Sequence, residues 1–537
     1  MAASEDVEKA FTKAVALHQQ GNLAQAESLY RQILQSVPHH LDALNLLGLV
    51  AMQTGRNLLA VELIGKAIAL NDRVADFHNN IGEAYRRLGE LDRAAHHFTR
   101  ATELEPTFLE AQQNLADVVK VQGKLDQAAA IYARILSVKP DLAVIHGRLG
   151  EILRLQGKLE EAVSHLRRAA TIAGSAVAYN QLGIALREQG MLDAAIAQFR
   201  RAVSLKEDFA QAHNNLGNVL RERGEFDLAA TELNRALELK DSFAAHNLAL
   251  VELARGRHER ALALTREALE LQERKKTKAL FVRCLKECPS LGAAPDLRPL
   301  LLRALCEPWA RPNELVAAVV RHLNSDPAIR PFIERNAAAR PDRDAGTALL
   351  ADPGFTAFAA DELLQSLLTT ALVADIELER VLTGLRAALL VTVRDPARHA
   401  DPETGIAFFS ALARQCFIND YVYAQADWER EQVEALCGSL DGALRTGAPI
   451  AAPSIMALAC YMPLSSLPSA DLFLERPWPA AVNEVLTQQV RDPSTARQYR
   501  ASVPRLTAIE DAVSLAVRRQ YEDNPYPSWT KLAPADE

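Results

Sequence analysis

A six-residue phrase recurs eight times in the first half of the chain. It reads GNLAQA at Gly21–Ala26, GRNLLA at Gly55–Ala60, GELDRA at Gly89–Ala94 and GKLDQA at Gly123–Ala128. It continues as GKLEEA at Gly157–Ala162, GMLDAA at Gly190–Ala195, GEFDLA at Gly224–Ala229 and GRHERA at Gly256–Ala261. Successive glycines are 34, 34, 34, 34, 33, 34 and 32 residues apart. A fixed period of this size marks a solenoid of repeated helix pairs, each burying its apolar face against the next.

The unit at Ala75–Phe108 is the clearest. Its pattern predicts helix A over Asp76–Leu88, a turn at Gly89, and helix B over Asp92–Leu104 ending near Pro106. Glycine suits the turn because it tolerates positive φ. Asp92 stands where a carboxylate can cap free amides and oppose the helix dipole, and Asp126, Glu160, Asp193, Asp227 and Glu259 recur there. Pro106 cannot continue helix B, and Pro38 and Pro140 play the same part in their units. Small residues recur where helices must approach: Gly48, Gly82, Gly150, Gly183 and Gly217 on helix A, with Ala94 and Ala101 on helix B of the Ala75 unit. Ile81, Tyr85, Leu91 and Phe98 fill the space between. The terminal units are less regular, with Ala14 and Ala249 in the glycine position.

From Ile81 to Pro106 the marks are a large-apolar–Gly pair, a Tyr three residues on, then Gly, Ala, Phe, Ala and Pro. This resembles the tetratricopeptide repeat, a match that covers eight units and about half of the chain. The resemblance implies a helical solenoid over residues 1–275; the patterns beyond it predict an all-helical region over 276–537 with proline-rich loops, so the whole fold is expected to be all-α. It also implies a concave face lined by helix A. There, Asn80, Asn114, Asn215 and Asn247 share one position, and Asn79, Asn180 and Asn214 share the position before it. Gln181 and Arg148 replace the first kind in the sixth and fifth units, and Leu46 in the second. An amide both donates and accepts, so a ladder of them can pair with an extended peptide backbone. Asn79, Asn80, Asn114, Gln181, Asn214, Asn215 and Asn247 are therefore the candidate peptide-binding residues. The ladder resembles the one in the repeats of protein O-linked N-acetylglucosamine transferases. Charges interleave with it: Glu83, Arg86, Arg87, Asp117, Lys120, Arg221 and Glu222.

The net charge of −8 and a pI near 6.0 argue against nucleic acid or an anionic membrane surface as the main partner. The start MAASEDVEKAF has no secretory pattern, and apolar runs such as Ala387–Val393 are too short to span a bilayer. All six cysteines lie in the second half, at 284, 288, 306, 416, 437 and 460. Their spacing is a weak zinc signal, so no metal is expected; reduced structural thiols in a cytoplasmic protein are.

Beyond Arg274–Lys278 (RKKTK), taken as a solvated helix end, the period stops. Helical patterns remain at Asp296–Leu305, Asn313–Leu323, Ala359–Leu372, Glu377–Val393 and Gly405–Ala424. Loops are expected at Arg340–Arg343 and Asp395–Thr404, and irregular chain at Leu464–Ala480. Phe408–Tyr423 (FFSALARQCFINDYVY) and Arg518–Trp529 (RRQYEDNPYPSW) resemble segments of bacterial proteins that join these repeats to an S-adenosylmethionine-dependent methyltransferase domain. Residues 281–537 contain no GxG, P-loop, GxSxG or HExxH phrase. Hence no cofactor and no catalytic residue is expected on this chain. Cys416 has no histidine in its phrase to activate it and is expected in the core.

Three readings follow. The first is an interaction scaffold binding a peptide or protein client in the repeat groove, possible as a homo-oligomer. The second is the substrate-recruiting part of a methyltransferase whose catalytic domain acts in trans. The third is an adaptor for a glycosyltransferase.

Overall fold

The computed structural model describes residues 2–289, 291, 296–338, 348–394 and 405–502. Among these, every regular element is a helix. The first sixteen are paired. They are α1 and α2 (Ala2–Gln19, Leu23–Ser36), α3 and α4 (Leu41–Gln53, Asn57–Leu70), α5 and α6 (Ala75–Arg87, Leu91–Leu104), and α7 and α8 (Leu109–Val121, Leu125–Val138). Then come α9 and α10 (Ala143–Leu155, Leu159–Ala173), α11 and α12 (Ala176–Glu188, Leu192–Leu205), α13 and α14 (Ala210–Glu222, Phe226–Glu238), and α15 and α16 (Ala244–Ala254, His258–Leu271). Two compact units divide the chain, Met1–Asn247 and Leu248–Glu537, and the division falls inside α15.

The small-against-large pattern is what brings each pair together. Ala94, Phe98 and Ala101 of α6 are fully buried, as are Ala128 and Tyr132 of α8 and Ala195 and Phe199 of α12. A Cβ on Gly82 would come 2.8 Å from the Phe98 ring, and one on Gly183 would come 2.6 Å from Phe199. Each glycine thus makes the seat for the aromatic ring of its partner helix. Gly89 turns the chain at φ 80° with nothing crowding it, a conformation that costs any L-residue free energy.

One expectation of the turn is corrected. Asp92 lies inside the first turn of α6, and its carboxylate does not cap that helix. It accepts from Gln122 Nε2 of the next repeat at 2.8 Å, and Asp126 accepts from Gln156 Nε2 at 2.8 Å. At these two positions the acid therefore joins successive repeats, while its charge still sits at the positive end of the helix.

In the second unit, helices at Leu297–Cys306, Pro312–Leu323 and Ile376–Arg394 fall where the periodicity put them. Lys275–Glu287 is a helix, so the RKKTK run opens a helix rather than trailing the last repeat. The expected Ala359–Leu372 helix is two pieces, Phe355–Ala359 and Glu362–Thr370. Asp361 accepts from the Leu364 amide at 2.8 Å and starts the second piece. The expected Gly405–Ala424 helix stops at Ile418, because Asp420 (φ 54°) and Tyr421 (φ 58°) take left-handed backbone. A further helix spans Asp427–Thr446, and a Cβ at Gly438 or Gly442 within it would meet nothing within 4 Å, so neither glycine is required by close packing. Leu464–Ser466 and Ala470–Glu475 are 3-10 turns. Phe332, Phe358, Phe408 and Phe409 build one aromatic core, with Phe332–Phe358 ring centroids 4.6 Å apart and Phe358–Phe408 5.6 Å. The two expected loops and the Arg518–Trp529 phrase lie outside the described residues.

Candidate functional site

The candidate amides sit at the fifth and sixth residues of the A helices, except that Asn247, the counterpart of the sixth, is the fourth residue of the shorter α15. The fifth-position residues Asn45, Asn79, Asn180 and Asn214 are only 3–7% exposed, whereas Asn80, Asn114, Gln181, Asn215 and Asn247 are half-buried. The two positions meet across the seam between repeats. Asn80 Nδ2 donates to Asn45 Oδ1 at 3.0 Å and Asn114 Nδ2 to Asn79 Oδ1 at 3.0 Å. Asn215 Nδ2 donates to Asn180 Oδ1 at 2.9 Å and Asn247 Nδ2 to Asn214 Oδ1 at 2.8 Å. Each such bond satisfies a buried carbonyl that would otherwise be stranded. The ladder is thus tied together along the stack. Sequence spacing marked these residues as a row but did not reveal that the second residue of each pair reaches the first residue of the preceding pair.

The row is interrupted at two seams. Arg148 turns instead to Asp117, which also accepts from the Tyr132 hydroxyl at 2.5 Å. At the next seam Gly147 occupies the fifth position, so Gln181 has no carbonyl to meet. Its amide has no hydrogen-bond partner among the described residues. Beside it lies a cavity of about 250 Å³ lined by Glu151, Arg154, Leu166, Val177, Asn180, Gln181, Ile184, Phe209 and Gln211.

The repeats match a known family. Tetratricopeptide repeat profiles match residues 11–72, 75–108, 141–208, 180–244 and 244–275. These units are tetratricopeptide repeats. Solved structures with similar folds include a chain of the APC/C heterotetramer Cut9–Hcn1, at 21% identity and TM-score 0.37, covering 51% of this chain and 55% of that one. YrrB, described as a TPR protein with an unusual peptide-binding site, is 24% identical at TM-score 0.31 and covers 35% of this chain and 97% of its own. A tetratricopeptide repeat protein from Parabacteroides merdae is 16% identical at TM-score 0.38, covering 46% and 99%. Among curated proteins no significant match is found.

The charges on the A helices of the tetratricopeptide repeats are largely spent on one another. Glu83 binds Arg86 Nε at 2.6 Å and Arg87 Nε at 2.8 Å, and those partners hold its carboxyl below the usual range against the opposing effect of burial. Lys120 bridges to Glu151 of the next repeat at 2.7 Å and Arg154 to Glu188 at 2.6 Å. Arg187 Nε donates to both oxygens of Glu222 at 3.0 and 3.1 Å, which leaves Arg221 no nearer than 4.0 Å to that carboxylate. Exposed pairs like these set register more than they add stability.

Histidines stitch helix A to helix B. His78 Nδ1 lies 3.1 Å from His97 Nδ1, and His146 Nδ1 lies 2.9 Å from His165 Nδ1. Their Nε2 atoms lie 3.0 Å from the Asp72 carbonyl and 2.8 Å from the Pro140 carbonyl. A carbonyl accepts only, so Nε2 carries the proton and each buried Nδ1 accepts from its neighbour. Burial pushes the His97 imidazole down to about 4 and lowers His78 and His165 as well.

The second unit holds a polar cluster of a different kind. Arg386 and Glu429 are fully buried, 3.5 Å apart. Arg386 donates to the Ala424 carbonyl at 2.6 Å and lies 4.3 Å over the Tyr461 ring. Glu429 accepts from the Tyr461 hydroxyl at 2.6 Å and the Ala426 amide at 2.7 Å. Cys416 is fully buried close to this cluster, and Arg414 turns away to Glu484 at 2.8 Å. No group of three or more His, Cys, Asp or Glu among the described residues could hold a metal, and no described helix is long and apolar enough to cross a membrane.

Proposed function

We propose that the chain is a protein-interaction scaffold whose A-helix face binds an extended peptide or protein segment. The observation that carries this reading is the recurrence of side-chain amides at the same two helix positions, on the face that also holds the 250 Å³ cavity. Asn79, Asn80, Asn114, Gln181, Asn214, Asn215 and Asn247 are the residues proposed to meet the client. Each seam bond uses one N–H or one carbonyl, and an amide has capacity beyond that for a backbone laid across it. Cytoplasmic location and self-association belong to the same proposal. A methyltransferase or glycosyltransferase partner is a narrower version that rests on the sequence resemblances alone; binding of S-adenosylmethionine or a sugar nucleotide would be its sign.

The test is an affinity pull-down with the wild-type chain and with Asn80, Asn114, Asn215 and Asn247 all changed to Ala, at a temperature where circular dichroism shows both folded. Partners lost with the variant support the A-helix face. An identical partner set would move the function to residues 248–537.

A further inference from the structure

The seam between the fifth and sixth repeats is unlike the others, and three of its features agree on what it could hold. The first is space. Where five other repeats carry an amide (Asn45, Asn79, Gln113, Asn180 and Asn214), Gly147 carries no side chain, and a Cβ built there would meet only Gln181 Oε1, at 3.5 Å. The cavity is smaller than the roughly 300–1,000 Å³ of typical small-molecule sites, so it suits one side chain better than a cofactor. The second is charge. The two ionised residues in its lining are already paired, Glu151 with Lys120 and Arg154 with Glu188. A charged guest would have to break one of those pairs or enter without a counter-ion. The third is the division of its remaining lining. Val177, 55% exposed, with Ile184 and Phe209 offers an apolar wall, while Asn180, Gln181 and Gln211 offer amides.

We propose that this seam is an anchor pocket for one uncharged apolar side chain of an extended client, with the unpaired Gln181 amide bonding to the client backbone beside that residue. This deepens the scaffold reading and rests on it. The anchor enters between α9 and α11, against Val177 and Ile184. At four other seams the fifth-position asparagine is present and bonded to its neighbour, and at the seam between the fourth and fifth repeats Arg148 turns to Asp117.

The experiment is selection of a phage-displayed library of random dodecapeptides on the full chain, followed by fluorescence-polarisation titration of the enriched peptides. The variants are Gly147→Asn, which offers Gln181 the fifth-position partner it lacks, Ile184→Asp, which charges the apolar wall, and Glu83→Lys, which alters the A-helix face three seams away. Expected are peptides sharing one aliphatic or aromatic position, each weakened roughly tenfold or more by both pocket variants and by Ala at the shared position. Thermal unfolding of Gly147→Asn should stay at or above that of the wild type. Peptides weakened by Glu83→Lys but indifferent to both pocket variants would overturn the pocket and keep the A-helix face. Peptides indifferent to all three, or no enrichment, would overturn both. A shared Asp, Glu, Lys or Arg anchor would overturn the apolar assignment.

Discussion

Asn80 reaches across the seam between the second and third repeats and donates to Asn45, whose side chain is 7% exposed. The bond joins residues 35 apart in sequence and uses one N–H of Asn80 and the carbonyl of Asn45, leaving the Asn80 carbonyl outside it. Asn80→Ala would strand the buried Asn45 carbonyl, at a cost of about 1–3 kcal/mol. Changing both residues should cost clearly less than the sum of the single changes, since the second removes the group the first left unpaired. Urea unfolding of the two single variants and the double variant checks this. Additive losses would show that the bond is not made in solution.

The repeat half was legible because its signals are local. The Gly82 and Phe98 pattern, the Gly89 turn and the Pro106 stop each depend on neighbours within one unit, and the helices lie where the period put them. The amide row was legible as a row, but its bonding was not. Whether Asn80 faces a client or Asn45 depends on the stagger between repeats, which no single unit encodes. The role of Asp92 was misjudged for the same reason: a carboxylate in a first turn looks like a cap until the Gln122 amide of the next repeat is in view. In the second unit the left-handed Asp420 and Tyr421 ended a helix that apolar periodicity alone would have continued, since non-glycine residues give little warning of positive φ.

The glycine seats carry a prediction of their own. Gly183→Ala places a methyl 2.6 Å from the Phe199 ring, which is fully buried and cannot swing away. Overpacking of this kind costs typically about 1–3 kcal/mol. Phe199→Leu in the same chain should recover part of the loss by vacating the ring's edge. Thermal denaturation of both variants tests the seat, and a Gly183→Ala chain as stable as the wild type would exclude it.

The paired histidines should make the repeats acid-sensitive. His78, His97 and His165 all favour the neutral form when folded, chiefly because burial disfavours the charged imidazole. His96 and Arg100 add repulsion around the His78–His97 pair. Between about pH 6.5 and the folded value near 4 for His97, the unfolded chain binds more protons than the folded one. Their contribution is therefore complete above about pH 6.5 and declines as pH falls toward 4. A Tm series over that range should slope downward into acid, and His97→Gln with His165→Gln should flatten the slope. An unchanged slope in the double variant would exclude the histidines as its source; carboxylates such as Glu27, which Arg56 holds near 2, act lower, from about pH 4.5 downward.

The Arg386–Glu429 pair poses the sharpest test of the second unit. Both side chains are fully buried, and Tyr461 touches both, its ring under the guanidinium and its hydroxyl on the carboxylate. Glu429→Gln keeps the size and an acceptor for the Ala426 amide but leaves a guanidinium without its counter-charge. Removing one partner of a buried pair costs about 3–5 kcal/mol, whereas removing both can be nearly neutral. Glu429→Gln alone should thus lower the urea midpoint markedly, and adding Arg386→Met should restore much of it. If the double variant were no more stable than Glu429→Gln, the Arg386 contacts with the Ala424 carbonyl and the Tyr461 ring would outweigh the ion pair, and the cluster would be held by hydrogen bonding and stacking rather than by charge.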